Sequence, residues 1–176
     1  PGAKNHTIGL VGFGGIGTEV AKRAVPFGMK VIYFCRHPNP ADDAAYGVQS
    51  VSMEELLKES DYVVAAVPLT DQTFHLFNEE CIAQMNIARG PVVDEEALAQ
   101  ALASGHLGGC AVDVFPKEPC TDSVLTRYSN ALLTPHSATS TAENSKATNF
   151  AAANNLVNYL KKDIDAKYVV VQGTRY

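Results

Sequence analysis

Apolar positions along the chain follow two alternating patterns: short continuous runs rich in β-branched residues, and longer stretches with apolar residues three or four positions apart. The runs Thr7 to Val11, Lys30 to Phe34 and Asp61 to Val67 are the strongest. They predict strands covered on both faces, because no polar residue alternates within them. Val48 to Val51, Gly109 to Val114 and Ala131 to Thr134 predict three shorter strands. Helical patterns lie between them: Ile16 to Val25, a segment opening at Ser52, Asn78 to about Met85, a segment opening at Asp94, and a long Ala/Asn-rich helix from Ala142 to Leu160. Their ends are marked chemically. Ser52 with Glu55 three residues on forms a capping box. Asn78 reads as an N-cap. Asp94, Glu95 and Glu96 put acids where the helix macrodipole favours them. Ala97, Leu98, Ala101 and Leu102 then form an apolar face, and Gly105 ends the helix. Pro38 and Pro40 read as a break in the chain. Tyr168 to Val171 is strand-like, with no place assigned to it.

Strands that alternate with helices pair in parallel through helical crossovers. The predicted fold is therefore α/β, with a doubly wound parallel sheet. The 176 residues suit one domain, and no linker or internal repeat divides them.

Composition changes this picture little. Hydrophobic residues make up 46% and charged residues 19%, as in globular domains. The formal charge of −5, with no basic cluster, predicts no nucleic-acid partner. No apolar run reaches the roughly 18 residues of a membrane span, and Pro1 to Asn5 has no signal-peptide character. Cys35, Cys81, Cys110 and Cys120 lack metal or disulfide spacing, which predicts reduced thiols in a cytoplasmic compartment. His6, His37, His75 and His106 show no ligand spacing, so no metal is expected. His75 follows Thr73 closely and is expected near the active cleft.

Candidate chemistry changes it more. Gly12, Phe13, Gly14, Gly15, Ile16 and Gly17 form Gly-x-Gly-x-x-Gly between a predicted strand and a predicted helix. In that context the pattern predicts a Rossmann-type dinucleotide-binding loop. Gly12 permits the turn, Gly14 lets backbone approach a pyrophosphate, and Gly17 lets helix and strand pack closely. An NAD site ends its second strand in a carboxylate that binds the ribose. Here that end is Cys35-Arg36-His37. A guanidinium stands where it can clamp a 2′-phosphate, so NADP is the predicted cofactor and NAD the alternative. The competing role for Arg36 is stacking on the adenine or facing solvent.

Further motifs follow in order: Val67-Pro68-Leu69-Thr70 with Thr73, Asn86-Ile87-Ala88-Arg89-Gly90, Ala111-Val112-Asp113-Val114-Phe115, Glu118-Pro119, and Thr134-Pro135-His136-Ser137-Ala138. With these the chain resembles the D-2-hydroxyacid dehydrogenase family from about Thr7 to Lys161, and glyoxylate/hydroxypyruvate reductases within it. The resemblance implies that Arg89 clamps the substrate carboxylate, that His136 is the general acid/base, and that Glu118 is its partner. It implies that Asp113 holds the nicotinamide carboxamide. Pro68, Leu69, Thr70, Thr73, Ile87, Ala88, His136 and Ala138 would line the cofactor. It also implies a homodimer. The chemistry asks for the same types. An arginine fork matches a carboxylate in a fixed plane. A histidine, with its ordinary pKa of about 6.5, exchanges protons near neutrality. A carboxylate behind it fixes the tautomer and favours the charged ring.

The expected function is reduction of a small 2-oxoacid such as glyoxylate or hydroxypyruvate with NADP(H). A second reading is a dinucleotide-sensing protein of the corepressor type; a third is an inactive remnant. Two departures from the family bear on these. The family's separate substrate domain, built mostly from chain before the glycine motif, is expected to be absent from these 176 residues. The family also has a short apolar strand before Asn-x-x-Arg-Gly, and only Ile87 remains of it. Five strand residues span about 17 Å, at about 3.3 Å each. One peptide link spans about 3.8 Å. A segment missing between Met85 and Asn86 is therefore predicted, in preference to a true deletion of a central strand.

Overall fold

The three strongest apolar runs are strands, at bounds close to those predicted. The computed structural model describes residues 2–82 and 92–165. Along the first part run β1 (Thr7–Val11), α1 (Gly15–Ala24), β2 (Lys30–Phe34), α2 (Pro40–Tyr46), β3 (Gln49–Ser50), α3 (Met53–Glu59) and β4 (Tyr62–Ala65). After them come α4 (Glu79–Ile82), α5 (Glu95–Ala103), β5 (Cys110–Val112) and β6 (Ala131–Leu133). Short 3-10 turns at Val25–Phe27 and Val124–Arg127 were not legible in the periodicity. The chain divides into two compact units, Pro1–His136 and Ser137–Tyr176, where the sequence suggested no division. The second unit holds α6 (Ala142–Leu160), at its predicted bounds and capped by Thr141. None of its residues is buried. The strand-like Tyr168 to Val171 lies outside the described residues.

Among the described residues all strand pairs are parallel. β1 to β4 form one sheet in the order β3-β2-β1-β4, and β5 pairs with β6. Leu10 lies opposite Tyr33 and Val64 in register. The doubly wound reading holds because both faces of the larger sheet are covered. Ile8, Leu10, Val31 and Tyr33 pack with Ala21 and Ala24 of α1. Val11, Ile32, Val63 and Ala65 point into the other core, with Leu56 and Leu57 of α3. Alternate residues of one strand thus enter opposite layers, and this is why the runs are continuously apolar. Side chains as buried as Leu10, Ile32 and Leu56 each stabilise the fold by about 1.5–3 kcal/mol.

The segment after Pro38 corrects the sequence reading. Pro40 does not break the chain; it opens α2 from the first turn, with the Asn39 side chain accepting from the Ala41 N–H at 3.1 Å. Proline suits that position because its missing N–H has no helical acceptor there.

Among the described residues, neither the outer edge of β4 nor that of β5 is paired with another strand. Both border an apolar cleft of about 490 Å³, lined by the four consecutive residues Tyr62, Val63, Val64 and Ala65 and by Ala111, Val112 and Asp113.

Candidate cofactor and active site

The loop after β1 is fastened by the Gly12 N–H, which donates to the Phe34 carbonyl at 2.9 Å. Gly12 has φ +99, and a Cβ there would lie 2.5 Å from the Ala66 carbonyl oxygen. Only glycine meets both conditions. A Cβ on Gly17 would lie 2.3 Å from the Gly12 carbonyl oxygen, so helix and loop close on each other there. Gly14 and Gly15 differ, with nothing within 4 Å of an added Cβ. They form the start of α1, whose first-turn N–H groups and dipole favour an anion. Phe13 holds the loop from below, stacked on Tyr33 with ring centroids 4.1 Å apart.

A cleft of about 490 Å³ runs over the ends of β1, β2 and β4, where the strand order changes direction. Ligands of doubly wound sheets bind at such a switch point. Of the predicted cofactor residues, Gly12, Phe13, Gly14, Cys35, Arg36, His37, Pro68, Thr70 and Thr73 line it. Gly15, Ile16 and Gly17 belong to the first turn of α1 and do not. Ile16 and Leu69 are exposed. The Thr73 hydroxyl serves the loop itself: it donates to the Pro68 carbonyl at 2.6 Å and accepts from the Thr70 N–H at 2.8 Å. Val67, Gln72 and Leu76 also line the cleft. Their nearness to Pro68 and Thr73 in sequence was the available signal. The bare Gly14 backbone, the helix start and the cationic Arg36 fit a dinucleotide phosphate.

His75 does not line this cleft. It has φ 48 and lines a separate hollow, with Nδ1 3.7 Å from Asp94 Oδ2.

The remaining site residues gather where β5 and β6 end. Asp113 follows β5, and Thr134 follows β6. The Thr134 hydroxyl donates to Asp113 Oδ1 at 2.6 Å. The sequence reading assigned Thr134 no role, although it stood in the Thr134-Pro135-His136 motif. His136 sits at φ 50, and its N–H donates to the Asp113 carbonyl at 2.8 Å. A left-handed histidine backbone costs energy, and the ladder around it holds it there. His136 Nδ1 meets Glu118 Oε2 at 2.8 Å. Glu118 Oε1 accepts from the Phe115 N–H at 3.0 Å. The Phe115 N–H, then His136, holds the Glu118 carboxyl below its ordinary range. Glu118 in turn raises the His136 imidazole, with a smaller push from Asp113.

Arg89, Ile87, Ala88 and the Met85–Asn86 junction lie outside the described residues. Ala138 belongs to the second unit. Among the described residues no three His, Cys, Asp or Glu side chains form a metal cluster, and no helix is long and apolar enough to cross a membrane.

The geometry agrees with what the chain is similar to. The family described as D-isomer specific 2-hydroxyacid dehydrogenase, NAD binding domain, matches residues 2–138. The chain belongs to this dehydrogenase family. Within the family, a glyoxylate reductase of Thermococcus litoralis is 39% identical over 175 residues, covering 96% of this chain and 53% of the reductase. One from Pyrococcus furiosus is 41% identical over 165 residues, covering 90% and 49%. Among solved structures, a glyoxylate reductase from Paecilomyes thermophila has a TM-score of 0.84 at 35% identity, over 92% of this chain and 51% of that one. The apo D-lactate dehydrogenase from Escherichia coli has a TM-score of 0.84 at 30% identity, over 97% and 56%. The chain thus spans about half the length of the dehydrogenases it matches. The matched domain is described as NAD binding, and the cleft at the switch point is the candidate place for that dinucleotide.

Proposed function

We propose that this chain is the cofactor half of a 2-oxoacid reductase that uses NADP(H) and acts on a small substrate such as glyoxylate or hydroxypyruvate. The carrying observation is the His136–Glu118 pair at 2.8 Å. Nδ1 of His136 faces Glu118, so Nε2 is the nitrogen that passes a proton to the substrate oxygen during reduction and takes it back in the reverse direction. Glu118 keeps the ring charged and oriented, and the strained His136 backbone fixes where the ring stands. The nicotinamide, when bound, supplies or accepts the hydride. Asp113, steadied by Thr134, is assigned to the carboxamide. Arg89 is assigned to the substrate carboxylate from its place in the family motif, and Ile87, Ala88 and Ala138 to the lining of the cofactor. The assignment of NADP rests on Arg36 and on the lack of any carboxylate among the described residues that line the cleft. Glyoxylate is favoured because the relatives at 39% and 41% identity are named glyoxylate reductases.

The test is His136→Ala, assayed as NADPH oxidation with glyoxylate. Turnover should fall by roughly 10²–10⁴-fold, the usual worth of a general acid, while NADPH affinity holds. Turnover within a few-fold of the parent would sink the assignment.

The proposal includes a strand-forming segment between Met85 and Asn86 that the 176-residue sequence omits. The edges of β4 and β5, unpaired among the described residues, and the apolar cleft that both border support it. Tandem mass spectrometry decides the point, since a peptide that reads Met85 joined to Asn86 would overturn it. A homodimer, testable by sedimentation, and a cytoplasmic location complete the proposal. The location rests on the spacing of the four cysteines, which suits no disulfide framework.

A further inference from the structure

Arg36 leaves the end of β2, and Gln72 comes from the loop after β4. The two are 36 positions apart in sequence, yet Arg36 Nη1 donates to Gln72 Oε1 at 3.4 Å. Both line the dinucleotide cleft. The bond is long and exposed, so it adds little to stability. Its significance lies in charge. A guanidinium has more N–H donors than one amide oxygen can use, so the others remain free for an anion. An amide also leaves the guanidinium charge uncancelled. A carboxylate of the same length would pair with Arg36 and repel a phosphate. The described residues lining the cleft include two with cationic side chains or cationic forms, Arg36 and His37, and no Asp or Glu. Asp71, next to Gln72 in sequence, is not among them.

We propose that Gln72 is a specificity-determining residue for the adenosine 2′-phosphate: its neutral amide meets Arg36 at the cleft and leaves the guanidinium charge available to that phosphate. The inference rests on the NADP reading above, and the test separates the two. NADPH and NADH are titrated by fluorescence against the parent protein, Gln72→Glu and Arg36→Ala. Gln72→Glu should weaken NADPH by about three- to fivefold, the upper worth of one exposed ion pair, and leave NADH binding as in the parent. That loss should shrink as salt is raised. Arg36→Ala should also lose NADPH selectively. If Gln72→Glu binds both cofactors as the parent does while Arg36→Ala loses NADPH, the inference fails and the NADP reading stands. An equal loss of both cofactors in Gln72→Glu also overturns the inference, because the change then reaches the cleft and not its phosphate preference. If Arg36→Ala binds NADPH as tightly as the parent, the NADP reading falls and the inference with it.

Discussion

The ends of the β1–β4 sheet and the ends of the β5–β6 ladder are built by opposite means. The first is made mostly by leaving side chains out: bare backbone at Gly14 and Gly15, and close approach at Gly12 and Gly17. The second is made by placing side chains: Asp113, Thr134, Glu118 and His136 interlock within hydrogen-bonding distance. The difference suits the two tasks proposed for them. A pyrophosphate needs N–H groups and room, which glycine supplies. Proton transfer needs a titrating ring with a held position and tautomer, which takes several polar partners.

Substitutions at two glycines of the first region should separate fold from binding. Gly17→Val forces methyl groups against the Gly12 carbonyl, where even a Cβ lies at 2.3 Å. It should cost about 3 kcal/mol or more, as overpacking does, seen as a lower unfolding midpoint. Gly14→Val meets open space and an extended backbone. It should leave the midpoint unchanged and weaken dinucleotide binding by about tenfold or more, or about 1.4 kcal/mol. Equal loss of stability at both positions would break the contrast.

In the second region, Glu118→Gln should act on the pH profile. His136 is raised chiefly by Glu118, and Glu118 is lowered first by Phe115 and then by His136. The imidazole's share of the attraction is full below its ordinary 6.5 and fades as pH rises through its raised value. The carboxylate's share is full above its ordinary 4.5 and fades as pH falls through its lowered value. Removing the anion therefore moves the alkaline fall of the reductive rate to lower pH. An unmoved limb would mean that Glu118 does not tune His136.

Two smaller effects sharpen the comparison. Thr134→Val removes the 2.6 Å bond to Asp113. It should cost about 1 kcal/mol, read as weaker NADPH binding with the glycine loop intact. Tyr33→Phe removes the bond from the buried Tyr33 hydroxyl to Asp43, 2.7 Å long, and keeps the stack under Phe13. It should cost about 1 kcal/mol of stability and leave the His136-dependent rate unchanged. The Tyr33 phenol is pushed up to about 12, chiefly by burial, from its ordinary 10. The parent should therefore lose relative stability between those values as pH rises, and the Phe variant should not. A common alkaline midpoint would show Tyr33 ionising freely.

Much of this was written locally. The strands at Thr7 and Lys30, the caps at Ser52 and Asp94 and the long helix from Ala142 read directly from sequence, because periodicity and capping act over a few residues. The glycine loop was legible too, since its spacing is fixed by one turn and one helix start. Pro40 misled, because a proline at a helix's first position and one that breaks a helix look alike until the cap is seen. The polar partners of the site needed more. Gln72 reaches Arg36 across 36 positions, and Thr134 reaches Asp113 across 21. The sequence by itself determined the α/β alternation, the glycine loop between strand and helix, and the residue types proposed for proton transfer. The tertiary structure alone decided which polar atoms meet, because parallel pairing joins segments that no local pattern connects.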